Sequence, residues 1–259
     1  MTSAAAPCVL LVEDDTSITR FVAMALDQLP IELLTCTSVP AAVALLEQRD
    51  IQLVITDLML PGESGISLVQ RLSANPQLRG GTLVAVFSAG LTTAVKEQLQ
   101  GMDLWRVLSK PIAVQELESC VRDALALHAL PEADTNTATA ALQPSPTNPA
   151  AKPAPATNTA ETLAITTHFG GDAQLFPTYR AACLKQFAAD VQTGDAAALA
   201  QDWPALRRLA HSLATVLLTL GRPQDSLVAR ALEDAAAVAD TAACSSGWSD
   251  LRQRLATLN

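Results

Sequence analysis

Along the first 110 residues, four short apolar runs each end on a polar group: Val9–Val12 on Glu13-Asp14-Asp15, Ile51–Thr56 on Asp57, Leu83–Phe87 on Ser88, and Trp105–Leu108 on Ser109-Lys110. The segments between them carry apolar residues at helical spacing, which is the pattern of βαβ units. Five units fit. The strands are expected over Cys8–Val12, Glu32–Cys36, Leu53–Thr56, Leu83–Phe87 and Trp105–Leu108, with helices near 17–29, 39–48, 65–73, 92–100 and 113–127. Leu53-Val54-Ile55 is apolar without alternation, as in a strand covered on both faces. The pattern predicts an α/β doubly wound, five-stranded parallel sheet over residues 7–128, with its polar groups gathered at one edge, where such folds build their sites.

Residues 129–160 change character. Six of the fifteen prolines of the chain sit there among alanine, threonine and asparagine, with no aromatic residue. Too little apolar surface is available to offset the entropy of ordering, and the segment reads as a linker. From 161 to 259 the periodicity is helical only. Leu206, Leu209, Leu213, Val216, Leu217 and Leu220 form one stripe, which predicts a C-terminal all-α helical bundle. Asp202-Trp203-Pro204 opens a helix with Asp202 as N-cap, and Gly221 followed by Pro223 closes it. Further helices are expected over 172–193, 223–240 and 247–257, with a break at Gly194-Asp195.

Charge and composition narrow the function. With 26 acidic against 17 basic residues the net charge is −9, which repels phosphate backbones and argues against nucleic-acid binding. No apolar run reaches the roughly 18 residues of a membrane span, and the first residues lack the basic region and apolar core of a signal peptide. Cysteines 8, 36, 120, 183 and 244 are odd in number and widely spaced, in the manner of reduced core residues. A cytoplasmic location is expected.

The strand-end groups suit phosphorylation of a carboxylate. Aspartate and phosphate repel one another, and Mg2+ held by carboxylates removes much of that barrier. Asp14 and Glu13 are the expected metal ligands from the first strand, with Asp57 as both ligand and phosphoacceptor. Lys110 offers a point charge and Ser88 a hydroxyl to the phosphoryl oxygens. Pro111 allows a cis bond after Lys110, and Pro61-Gly62-Glu63-Ser64-Gly65 forms a sharp loop that turns the Met59 backbone carbonyl to the metal. Phosphohydrolases with an aspartate after a strand carry a second acid two residues on; here that residue is Met59.

On Leu10-Leu11-Val12-Glu13-Asp14-Asp15, Asp57-Leu58-Met59-Leu60-Pro61 with Gly65, Ser88-Ala89 and Lys110-Pro111, residues 8–128 resemble a response-regulator receiver domain of flavodoxin-like fold. The resemblance implies a phosphoryl group passed to Asp57 from a phosphohistidine donor, a magnesium requirement, and slow autodephosphorylation rather than metabolic catalysis. One departure is Val107, where that family usually places an aromatic residue that moves with the hydroxyl. A valine there suits a receiver that passes phosphate on rather than one that drives an output domain.

The second half has its own candidate. Placed against the stripe of Leu209, Leu213 and Leu220, His211 is expected to face solvent as an exposed nucleophile. Phe169-Gly170-Gly171-Asp172, Asp202-Trp203, Ala210-His211-Ser212-Leu213, Gly221 and Leu232-Glu233 make residues 161–259 resemble a histidine-containing phosphotransfer (HPt) domain. That family has lysine and glycine three and four residues after the histidine; here they are Ala214 and Thr215. Arg207 and Arg208, one turn earlier, are candidate phosphate neighbours in their place. His128 and His168 have no such context and read as surface residues. The expected function is a two-component phosphorelay intermediate, with a histidine kinase and other receiver or HPt proteins as partners. The alternative is a phosphorylation-dependent binding switch with an unphosphorylated helical docking domain.

Overall fold

The computed structural model describes residues 6–89, 97–129 and 159–258. Strands β1 (Cys8–Val12), β2 (Glu32–Cys36), β3 (Leu53–Thr56), β4 (Leu83–Ser88) and β5 (Arg106–Ser109) form one sheet in the order β2-β1-β3-β4-β5, every pair parallel. The doubly wound sheet is therefore present, with β4 reaching Ser88 and β5 beginning one residue later than expected. The register pairs Val12 with Thr56 and Thr56 with Val86, so the polar groups after β1, β3 and β4 share one edge.

Alternate residues of each strand feed opposite layers. Leu10, Val12, Val54, Val84 and Val86 pack with α2 (Val39–Gln48), α3 (Gly65–Ala74) and α4 (Pro76–Arg79). Val9, Leu11, Leu53, Ile55, Ala85 and Phe87 pack with α1 (Thr16–Leu26) and α5 (Val114–Ala129). The one-turn α4 was not expected; Asn75 caps it and Pro76 sits in its first turn. Of the helix expected over 92–100, residues 90–96 lie outside the described residues, and 97–99 are helical. Most of the expected linker, 130–158, also lies outside them.

The C-terminal half is all helical: α6 (Thr159–Phe169), α7 (Leu175–Ala200), α8 (Trp203–Thr219), α9 (Pro223–Ala237) and α10 (Thr241–Ala256). Asp202 caps α8 through the Ala205 amide as expected. Two helices depart from the sequence reading: α6 occupies a stretch with no strong stripe, and α10 begins six residues early because Asp240 caps it through Ala243 N–H. A third departure is α7, which runs unbroken through Gly194. A Cβ there would lie 2.0 Å from the Trp248 ring, so this glycine admits an indole rather than ending a helix. The same indole donates to Asp195 at 2.9 Å.

The bundle seats on the sheet layer through α1. Phe21 meets Phe169 and Tyr179 edge-on at centroid distances of 5.5 and 5.6 Å, and Phe169 meets Phe176 at 5.3 Å. Each such pair adds about 0.5–1.5 kcal/mol beyond its buried area. One apolar cluster thus continues from Val9 and Phe21 into Phe187, Leu213 and Trp248.

In an exposed helix, Gly→Ala gains about 1 kcal/mol. Gly194→Ala is expected instead to destabilise by about 1–3 kcal/mol, because the methyl overpacks a filled site. A lowered urea midpoint is the predicted outcome, and an unchanged or raised midpoint contradicts the packing.

Candidate functional site

Four chain segments meet at the carboxyl edge of the sheet. The β1–α1 turn is fixed by Asp15, whose Oδ1 accepts from Ile18 N–H at 2.8 Å and whose own amide lies 3.2 Å from Glu13 Oε1. Asp57 follows β3; its amide donates to the Val12 carbonyl at 2.9 Å, and its Oδ1 accepts from Leu58 N–H at 2.6 Å. The loop after it closes tightly: a Cβ on Gly65 would stand 1.9 Å from the Asp57 carbonyl oxygen, so only glycine fits. After β5, Lys110 is tied by its amide to the Ser88 carbonyl at 2.9 Å, and the Lys110-Pro111 bond is cis.

These segments bring Glu13, Asp14 and Asp57 together, with ligand atoms all within 4.8 Å of one another. Lys110 Nζ lies 2.5 Å from Glu13 Oε2 and 3.1 Å from Asp57 Oδ2. Asp57 is only 2% exposed. Two buried carboxylates, Glu13 and Asp57, thus pair with one ammonium group, and half-buried Asp14 adds a third negative charge beside them. Burial alone would lower the Lys110 pKa, but Asp57 and Glu13 outweigh it and hold the ammonium charged. Burial pushes Glu13 up to about 8 against the pull of Lys110, with Asp57 adding to the rise. Asp14 is raised by burial and by Asp57. An all-oxygen donor set with excess negative charge suits a hard divalent cation, and the residues present fit magnesium. Ser88 is buried at the end of β4, and Val107 is exposed on β5.

The helical half covers this edge. A cleft of about 270 Å³ is lined by Asp14, Asp15, Gln186, Asp190, Arg208 and Ser212, and thus opens between the β1–α1 turn, α7 and α8. Burial pushes Asp190 up to about 6, opposed by its bond from Gln186 and reinforced by Asp15. Further along α8, Thr215 and Thr219 face Phe21, Phe87, Pro111 and Ile112. Arg230 of α9 reaches across to the Ala89 carbonyl, 3.4 Å from its Nη2.

His211 lies on the turn of α8 between these contacts, and here the structure corrects the sequence reading. The imidazole is not solvent-facing; the residue is 4% exposed. The leucine stripe alone implied one buried face, whereas α8 is covered by α9 on one side and by the sheet layer on another, and Leu209 is only half-buried. Nδ1 of His211 lies 2.7 Å from Glu233 Oε1, while Nε2 is buried without a hydrogen-bond partner among the described residues. Nor do the expected arginines both approach the histidine: Arg207 is exposed and Arg208 lines the cleft beside Asp14. The guanidinium beside His211 belongs to Arg230, 3.4 Å from Nδ1, which sequence reasoning missed because only folding brings α9 alongside. His128 is exposed as expected, but His168 is half-buried with Nδ1 unpartnered, and burial lowers its pKa.

Residues 9–122 match the response regulator receiver domain family. This part of the chain is a receiver domain of the two-component type. The chain is 31% identical over 216 residues to the virulence sensor protein BvgS of Bordetella pertussis, covering 80% of this chain and 16% of that protein. It is 28% identical over 111 residues to the phosphate regulon transcriptional regulatory protein PhoB of Pseudomonas aeruginosa, covering 42% and 47%. The chain therefore spans about a sixth of the first and about half of the second. Among solved structures it is similar to the signal receiver domain of an HD domain-containing protein from Pseudomonas fluorescens, at 27% identity and a TM-score of 0.45, covering 49% of this chain and 92% of that one.

The raised Glu13 gives a pH signature. Its folded value of about 8 lies above the ordinary 4.5, so the folded state binds the extra proton between the two. Stability without metal then falls as pH rises through that window. Millimolar magnesium is expected to raise Tm by about 3–8 °C near pH 8 and by much less near pH 5, where protons compete for the ligands. Thermal melts with magnesium or a chelator check this; an equal effect at both values contradicts it.

Proposed function

We propose that the chain is a phosphorelay intermediate: Asp57 accepts a phosphoryl group from a histidine kinase, and His211 takes it from Asp57. The observation that carries this reading is the pair of states on one imidazole, with Nδ1 engaged by Glu233 and Nε2 buried with no partner. A buried nitrogen without a partner is costly, and a catalytic role is one of the reasons such a group is kept. Here it belongs to a helix that lies across the phosphoacceptor pocket. The similarity to a sensor protein also covers 80% of the chain, more than the receiver alone can account for.

An Asp57 oxygen attacks the phosphorus of the kinase phosphohistidine, the P–N bond breaks with its electron pair returning to the donor imidazole, and an acyl phosphate forms while Lys110 and the Ser88 hydroxyl hold the transferred oxygens. Glu13, Asp14, Asp57 and the Met59 carbonyl would hold magnesium, which would supply the positive charge that lets two anions meet. Transfer within one chain needs no diffusive encounter, because docking through Phe21, Phe169 and Tyr179 keeps the two sites at high effective concentration.

A second reading is favoured by the bulk on α8. Thr215 and Thr219 fill the contact with Phe87, Pro111 and Ile112, as in a bundle that caps the pocket and takes no phosphate. The two readings separate on the chemistry of the label. After exposure to radiolabelled acetyl phosphate, the wild-type chain is expected to carry alkali-labile label on Asp57 and acid-labile, alkali-stable label on His211. His211→Gln is expected to keep the first and lose the second, and Asp57→Asn to lose both. Absence of alkali-stable label from a wild type that labels on Asp57 overturns the relay and leaves the capping reading.

A further inference from the structure

The histidine-bearing turn has no lysine at position 214, Arg207 points to solvent and Arg208 faces the cleft. The cation beside His211 comes from another helix. Arg230 Nη1 lies 2.7 Å from Glu233 Oε2, and the other carboxylate oxygen, Oε1, lies 2.7 Å from His211 Nδ1. A lone pair on Nδ1 at that distance would repel the carboxylate, so Nδ1 carries the proton and donates it to Glu233. In the neutral ring the lone pair is then on Nε2, which has no hydrogen-bond partner among the described residues. Held at one oxygen by Arg230, the carboxylate keeps its other oxygen on the imidazole. Arg230 is anchored in turn: its Nη2 lies 3.4 Å from the carbonyl oxygen of Ala89, the residue after Ser88 in the receiver.

We propose that Arg230 is a positioning residue for phosphotransfer, a fork that clamps Glu233 in the orientation that fixes the His211 tautomer and ties that clamp to the receiver through Ala89. The proposal rests on the relay reading above for its chemical use, though not for its geometry. In the transfer, the P–O bond to Asp57 breaks and its electron pair stays on the carboxylate. The P–N bond forms from the Nε2 lone pair. The proton on Nδ1 stays in place, and Glu233 faces the positive charge that develops on the ring, so no base has to remove a proton. Because one arm of the fork rests on the receiver backbone, the histidine is fully oriented only when the bundle is docked. Nucleophile alignment and domain docking become one event.

The full-length chain with ¹⁵N-labelled histidine tests this. The protein has three histidines, and His211→Gln assigns the relevant signals. In wild type at mildly alkaline pH the ring is expected to hold its proton on Nδ1. In Arg230→Gln the carboxylate is released, the ¹⁵N shifts move to a mixture of tautomers, and transfer to His211, measured per Asp57 phosphorylated, slows about 10–100-fold. Arg230→Lys, a point charge without the fork, is expected to fall between the two. An Arg230→Gln chain with the proton still on Nδ1 and transfer within about twofold of wild type overturns the proposal while leaving the relay intact. If wild type places no label on His211 but Arg230→Gln still scrambles the tautomer, the relay reading fails and the clamp stands.

Discussion

Three carboxylates, two of them buried, and one buried ammonium group share the carboxyl edge of the sheet, and much of the surrounding architecture follows from that imbalance. Glu13, Asp14 and Asp57 are brought together by the register of β1 and β3, with Lys110 held against them from the end of β5. The backbone closes so tightly behind Asp57 that Gly65 has no room for a side chain. Such a pocket favours a divalent cation and, once that is bound, a phosphoryl group. It also shapes what docks over it: Arg208 and Arg230 approach the edge from the bundle, and the Asp190 carboxyl is pushed towards neutrality by burial, with Asp15 adding to the rise.

The bundle packs directly against the sheet layer. Its aromatic contacts with Phe21 extend the apolar layer beneath α1, and α8 lies from the Asp14–Asp15 turn to Pro111. Thr219 of α8 donates to the Thr215 carbonyl, and Ser226 of α9 donates to the Ala214 carbonyl. Against that background the unpartnered Nε2 of His211 stands out. Its opposite nitrogen is engaged by the Glu233 carboxylate, which Arg230 holds in turn, so the ring is oriented.

The receiver site was legible because its chemistry sits at strand ends, where a short apolar run and the polar group after it are adjacent in sequence. Glu13, Asp57 and Lys110 needed only the assumption of a parallel sheet to be brought together. His211 was found from its local motif, but its burial was not. A helical stripe reports how many faces are apolar, and the surface of α8 that meets the receiver is built from small and polar residues, Ser212, Thr215 and Thr219, which resemble a solvated face. Arg230 lies 19 residues from His211 and left no local signal. Gly194 was misread for a related reason, since the indole that explains it arrives from α10.

In the proposed relay the phosphoryl group moves within a single chain, from Asp57 of the receiver to His211 of α8. The direct measurement is the single-turnover rate of label movement from Asp57 to His211 as the chain is diluted, with Asp57 phosphorylated in advance. A rate independent of chain concentration is predicted. A rate that falls in proportion to dilution, restored by adding chains that carry His211 but not Asp57, would contradict it.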